Sequence, residues 1–258
     1  MNNIKYTIFN LNSGFKVEAI IYEGKHYICI AGKNYMKINE AAFLELKDKA
    51  INKSKFDTSI DLTDEIKASS EKVQNEIEKK FLLKKVPDKE TLNNTYSYKD
   101  IKQFYLNMGD IELRARAKSN SKGNTAYIFT AKSKGLEKRP EFNYEELTED
   151  DFAELQAHKV GSIIAKRRYE IPYIGGYNFE FDVYNEKLEE LYTAEIEVNS
   201  EDDFSKLNIK SGLHLINNNL VLGNDVTKDK PYKNGSLAIN GVPQTYFKPI
   251  EEEFEIHV

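Results

Sequence analysis

Cysteine, histidine and long apolar runs are what this chain has least of. Cys29 is the only cysteine in 258 residues. It cannot form an intrachain disulfide, and no thiolate zinc site exists without a second thiol. It lies in the apolar run HYICIAG, where a buried structural thiol is expected rather than a nucleophile. The four histidines, His26, His158, His214 and His257, are scattered without metal-ligand spacing. A Ser/His/Asp or Cys/His catalyst therefore finds no support. No apolar run is long enough to cross a bilayer and the N-terminus carries no signal-peptide pattern, so a reducing, cytoplasmic setting with no membrane association is expected. A formal charge of −5 argues against general attraction to DNA or anionic lipid, while leaving room for a local basic pocket.

What the chain does have is charge and alternation. Hydrophobic residues make up 40% and charged residues 31%, the balance of a soluble globular protein with a sizeable core. Residues 1–50 read as short strands (KYTIFNL, FKVEAIIY, HYICIAG), with a hairpin turn at Gly24-Lys25, followed by a short helix in INEAAFLELKDKA. Residues 51–74 are polar and suit a linker with a helical patch. From residue 75 strand-like alternation recurs, broken by helical stretches: LTEDDFAELQAHK, with Thr148 as N-cap and Asp151 at the capping-box position, and SEDDFSKLN, capped by Ser200 with Phe204 inward. The expectation is an α+β, mainly antiparallel β fold: a small N-terminal β-rich domain over 1–50, a linker over 51–74 and a main domain over 75–258. The N-terminal domain carries no catalytic signal; docking to a partner or homodimerisation is the expected role, with a purely structural extension as the alternative.

The strands of the main domain share an oddity. In NEIEKKFLL, Glu76, Glu78 and Lys80 fall on alternate positions, so they share one face of a strand. Glu112, Arg114, Arg116 and Lys118 alternate with Ile111, Leu113, Ala115 and Ala117. Lys132 shares a face with Thr130 and Ile128; Arg139, Glu141, Asn143 and Glu145 share another. Lys166, Arg168 and Glu170 alternate with Arg167, Tyr169 and Ile171. Asp182 stands between Phe181 and Val183, and Glu195 and Glu197 flank Ile196. For any one strand a solvated outer face explains this. Taken together, apolar faces covered by helices would turn the charged faces toward the inside of a curved sheet. Buried ions cost several kcal/mol each unless paired. A polyanion would satisfy the Arg and Lys set, and a hard divalent cation would satisfy Glu76, Glu78, Glu195 and Glu197. Triphosphate with its metal does both.

These residues resemble the CYTH family, the triphosphate tunnel metalloenzymes. The hallmark ExExK stands at Glu76, Glu78 and Lys80. The match continues in order through QFYL (Gln103, Tyr105), LRAR (Arg114, Arg116), FTAKSKG (Lys132), RPE (Arg139, Glu141), AKRRYEIP (Lys166, Arg168), FEFDVY (Asp182) and AEIEV (Glu195, Glu197). The tail LGNDVTKDKPYKNGSLA looks like the end of the short bacterial inorganic triphosphatases. The resemblance covers residues 75 to about 243 and implies an eight-stranded antiparallel β-barrel, open at both ends, that binds triphosphate in its tunnel with Mg²⁺ or Mn²⁺ on the acidic side. The implied activity is metal-dependent hydrolysis of a terminal phosphoanhydride. Glu76, Glu78, Glu195 and Glu197 would hold the metal, with Glu141 and Asp182 helping to place it or the attacking water. Lys80, Arg114, Arg116, Lys132, Arg139, Lys166 and Arg168 would clamp phosphoryl oxygens. No covalent nucleophile is needed.

Two departures stand out. Asn143 replaces the second glutamate usual after RxE and supplies no negative charge; Glu145, on the same face, is not expected to take its place. Residues 1–74 lie outside the resemblance. Two other readings follow from the same residues: an adenylate cyclase of class IV type, using the same tunnel, and a protein that binds a nucleotide or polyphosphate without turning it over.

Overall fold

The computed structural model describes residues 3–55, 61–71, 74–75, 77–133, 140–216 and 219–252; Glu76 and Arg139 lie outside the described residues. In chain order the elements are β1 (Ile4–Asn10), β2 (Lys16–Tyr22), β3 (Lys25–Ile30), β4 (Asn34–Lys37), α1 (Glu40–Asp48), β5 (Asn52–Lys55) and α2 (Thr63–Ser70). Then come β6 (Gln74–Asn75), β7 (Glu78–Pro87), α3 (Lys89–Thr95), β8 (Tyr98–Met108), β9 (Ile111–Asn120), β10 (Thr125–Ser133), β11 (Pro140–Leu147) and α4 (Glu149–Gln156). The remainder holds β12 (Val160–Pro172), β13 (Asn178–Asn185), β14 (Tyr192–Glu197), α5 (Glu201–Lys206), β15 (His214–Leu215), β16 (Leu220–Asp225), α6 (Asn234–Asn240) and β17 (Ile250–Glu252). The fold is α+β and mainly antiparallel β, as the alternation predicts. Among the described residues no helix is long and apolar enough to cross a membrane.

Two compact units divide these elements. The first takes in Met1–Glu76, Phe104–Ala117 and Ala126–Val160. Its N-terminal sheet runs β4-β3-β2-β1-β5. The β2–β3 turn is made by Glu23 and Gly24, both left-handed at φ 47 and 74, as a two-residue hairpin turn requires. The turn thus sits one residue earlier than the sequence predicts, because Lys25 already pairs with Tyr22. Asn39 caps α1, its Oδ1 accepting from Ala42 N at 2.8 Å, and the helix buries Ala42, Phe43 and Leu46. Cys29 is buried among Ile20, Tyr22, Tyr27, Tyr35 and Leu62, and that burial pushes its thiol up to about 12, which leaves it unreactive. The polar stretch read as linker holds a strand: β5 pairs with β1, and its sequence NKSK shows no apolar alternation because it is largely exposed. Elsewhere in this unit Phe15 sets its ring 5.4 Å from both Phe129 of β10 and Tyr144 of β11.

The second unit takes in Ile77–Gln103, Lys118–Thr125 and Gly161–Val258. Its strands run β15-β16-β7-β14-β13-β12, with β17 added parallel to β7. Phe81, Tyr169, Ile171, Phe179, Phe181 and Ile196 point to one side of this sheet and pack with Leu92 of α3 and Phe204 of α5. Helices therefore cover the apolar face. The alternate residues of the same strands, the ionic ones, are left on the other face.

Candidate functional site

In the second unit, strand register builds a chain of ion pairs. Lys80 lies opposite Glu195, Glu180 opposite Glu195, and Arg168 opposite Asp182. Lys80 Nζ reaches Glu195 Oε1 at 3.0 Å. Arg168 donates from Nη2 to Glu195 Oε2 at 2.6 Å, and from Nε and Nη2 to the two oxygens of Asp182, both at 2.6 Å. Lys166 closes on Asp182, and Arg168 also meets Glu180. Asp182 is 0% exposed, Lys166 1%, Lys80 7% and Arg168 8%, so this is an interior array in which every ion has a partner.

The electrostatics follow from that pairing. Burial opposes the charge on Glu195, but Lys80, Arg168 and Lys166 outweigh it and hold the carboxyl well below its ordinary range. Burial likewise opposes Lys80 and Arg168, and both are raised by the acidic groups around them: Tyr184, Glu195 and Asp182 for Lys80, and Asp182, Glu195 and Glu180 for Arg168. Lys166 goes the other way. Burial, then Arg168 beside it, push it down to about 8. Tyr184 completes the array: its hydroxyl, pushed up to about 12 by burial, accepts from Lys80 Nζ at 3.4 Å and donates to Asn234 Oδ1 at 2.7 Å. Lys80 is also fixed through its backbone, N donating to Thr227 Oγ1 and O accepting from Val226 N.

The first unit carries its own charged set. Arg114 Nη2 donates to Thr130 Oγ1 at 3.4 Å, Thr130 donates to Asn143 Oδ1 at 2.7 Å, and Asn143 Nδ2 donates to Glu141 Oε1 at 3.1 Å. Lys132 lies opposite Glu141 and bridges to its Oε2 at 3.1 Å. Burial opposes the charge on Glu141, and Lys132 and Arg114 overcome it, lowering the carboxyl's pKa. Arg116, two residues beyond Arg114, is half-buried on the same face of β9. Asn143 therefore orients Glu141. Glu145 falls where β11 slips against β10, between the pairs Phe129–Tyr144 and Tyr127–Leu147, and the bulge ends the alternation there.

Of the four expected metal ligands, Glu78 and Glu197 face one another directly across β7 and β14 and are exposed. Two opposed carboxylates offer the hard oxygens that Mg²⁺ or Mn²⁺ takes, and such ions commonly use one or two carboxylates with water and substrate phosphate completing the shell. Among the described residues, no group of three or more His, Cys, Asp or Glu side chains is placed to hold an ion. Glu195 is engaged with two cations. Three participants escaped the sequence reading as site residues. Tyr184 and Glu180 sit two residues to either side of Asp182, so the same alternation could have found both. Asn234, far along the chain, leaves no such signal.

No known family profile matches the chain. It is similar to the inorganic triphosphatase of Nitrosomonas europaea (strain ATCC 19718), 32% identical over 167 residues, which are 64% of this chain and 97% of that protein. A crystal structure of an inorganic triphosphatase is 30% identical, covering 66% of this chain and 98% of its own, with a TM-score of 0.44. The structure of a putative adenylate cyclase from Bacillus halodurans is 19% identical, covering 53% and 87%, with a TM-score of 0.38.

Proposed function

The chain belongs to the CYTH family, the triphosphate tunnel metalloenzymes, and on that premise we propose that it is a metal-dependent triphosphatase acting on a small triphosphate-containing molecule. The observation that carries the reading is the buried row Lys80–Glu195–Arg168–Asp182–Lys166, three cations gathered on one sheet face and tied by contacts of 3.0 Å or less. Interior cations of this density suit a polyanion. The similarity to an inorganic triphosphatase over nearly its whole length supports the same conclusion.

In this reading Lys80, Lys166 and Arg168, with Arg114, Arg116, Lys132 and Arg139, take the phosphoryl oxygens. Their fixed positive charge stabilises charge that builds on the leaving phosphate as water attacks the terminal phosphorus and the anhydride P–O bond breaks. Asp182 keeps Lys166 and Arg168 aimed, and Glu141 does the same for Lys132. Glu76, Glu78, Glu195 and Glu197 are the proposed ligands of Mg²⁺ or Mn²⁺. The bound ion would neutralise phosphate charge and lower the pKa of a coordinated water. Glu195 would first have to release Lys80 and Arg168, which would pair with the arriving phosphates in its place. The finer architecture belongs to the same proposal: an eight-stranded antiparallel tunnel over residues 75–258, preceded by a small domain over 1–50 and a linker over 51–74, working in the cytoplasm.

The test is phosphate release from tripolyphosphate, ATP, thiamine triphosphate and an RNA 5′-triphosphate, with and without Mg²⁺ or Mn²⁺. Metal-dependent release that is lost in Glu78→Gln is the expected result. Cyclic AMP and pyrophosphate from ATP, or tight binding with no release, would overturn it.

A further inference from the structure

Glu45, on α1 of the N-terminal sheet domain, accepts at Oε2 from the backbone N of Asp110 at 2.7 Å and lies 3.5 Å from that of Ile111. These residues form the β8–β9 turn. A Cβ placed on Gly109 would lie 1.6 Å from Glu45 Oε1, so the carboxylate fills the space that glycine leaves open. From the other side Asn107, 1% exposed, donates Nδ2 to Ile111 O at 2.5 Å. The turn is thus held from both sides, and one of the two holds comes from the N-terminal residues that precede the series of CYTH-like motifs. Three residues past Ile111 stands Arg114, then Arg116. A one-residue slip in β9 would exchange their face for that of Leu113 and Ala115.

We propose that Glu45 is a positioning residue for the phosphate-binding strand: the N-terminal domain fixes the register of β9, and with it Arg114 and Arg116, through the Glu45 carboxylate on the β8–β9 turn. The assignment rests on the triphosphatase reading for its kinetic readout. Other contacts of the same domain, such as Ser13 with Asp151 and Asn12 with Glu154, grip α4 instead and bear no phosphate-binding side chain.

Two routes break the contact independently. Glu45→Ala removes the acceptor. Gly109→Ala leaves Glu45 in place but pushes its flexible carboxylate off the turn, without demanding any unusual backbone at residue 109. Each variant is expected to raise KM for tripolyphosphate roughly three- to ten-fold, the size of one hydrogen bond's net contribution, with kcat little changed. The double variant should be no worse than either single one, because both remove one interaction. Glu45→Gln, whose carbonyl still accepts, should recover KM, and Ser13→Ala should leave it at the wild-type value. Amide exchange at Asp110 and Ile111 should quicken in Glu45→Ala and Gly109→Ala alone. Wild-type KM and unchanged exchange in both variants would overturn the assignment, as would additive losses in the double variant. A wild-type protein that releases no phosphate from any triphosphate would instead sink the triphosphatase reading, and the exchange data would still decide whether Glu45 holds the turn.

Discussion

Asp182 holds two cations at once, Lys166 on one side and the Arg168 guanidinium on the other, with no exposure to water. Replacing it with asparagine keeps the shape and removes the charge both partners depend on. Asp182→Asn should therefore cost about 3–5 kcal/mol in urea unfolding, the penalty for an uncompensated buried charge. A loss below 1 kcal/mol would mean that water reaches the pair. Lys166 offers a test by pH. Burial and then Arg168 push it down to about 8, against roughly 10.4 in an unfolded chain. Between those values the unfolded chain binds the extra proton, so this group's contribution to stability rises with pH across that window and is smallest below about 8. Gripping a phosphate requires the charged form. Tripolyphosphate binding at pH 9 should then take up a proton, and at pH 7 should not, as calorimetry in two buffers of different ionisation enthalpy would reveal. No uptake at pH 9 would remove Lys166 from the binding set. Apart from Glu180, the charged members of this array were legible because a strand repeats every two residues. The task of Asn143 was not, since its spacing fits a ligand and a hydrogen-bond relay equally well.

Elements were legible wherever a local rule fixes them. Thr148 caps α4 as its sequence predicts: Thr148 Oγ1 accepts from Asp151 N at 3.1 Å, and Asp151 Oδ2 accepts from Thr148 N at 3.1 Å. Losing that reciprocal cap in Thr148→Ala should cost about 1 kcal/mol, seen as a lower urea midpoint with kcat and KM unchanged. A change in KM would tie α4 to the site instead. The α5 start follows the same logic, with Asp203 Oδ2 accepting from Ser200 N. β5 escaped because an exposed edge strand needs no apolar residues, and NKSK is the composition that discourages further pairing at such an edge. The bulge between β10 and β11 escaped because a slip of one residue leaves no composition signal. The grip of Glu45 on the β8–β9 turn joins residues 65 apart in sequence, and periodicity cannot register it.

For the molecule as a whole, the puzzle is how a chain of net charge −5 comes to hold a triphosphate anion. Long-range attraction is absent, and in the second unit the three buried cations already have three carboxylates, Asp182, Glu195 and Glu180. A polyanion arriving alone would have to displace carboxylates and leave them crowded against it. A divalent cation held by the proposed ligands Glu197, Glu78 and Glu195 would remove that cost, so metal and triphosphate should bind cooperatively. One close charge pair is worth roughly 4 kcal/mol at an effective dielectric near 20, before desolvation, so the coupling should reach at least about a hundredfold in affinity. Coupling of this kind is reciprocal. A non-hydrolysable imidotriphosphate should bind at least about a hundredfold more weakly in EDTA than in Mn²⁺, and the same analogue should tighten Mn²⁺ binding by the same factor. Titrating each ligand with and without the other closes the cycle. Equal affinity for the analogue in EDTA and in Mn²⁺ would mean that the carboxylates stay on their internal partners, and the proposed metal set would fall with it.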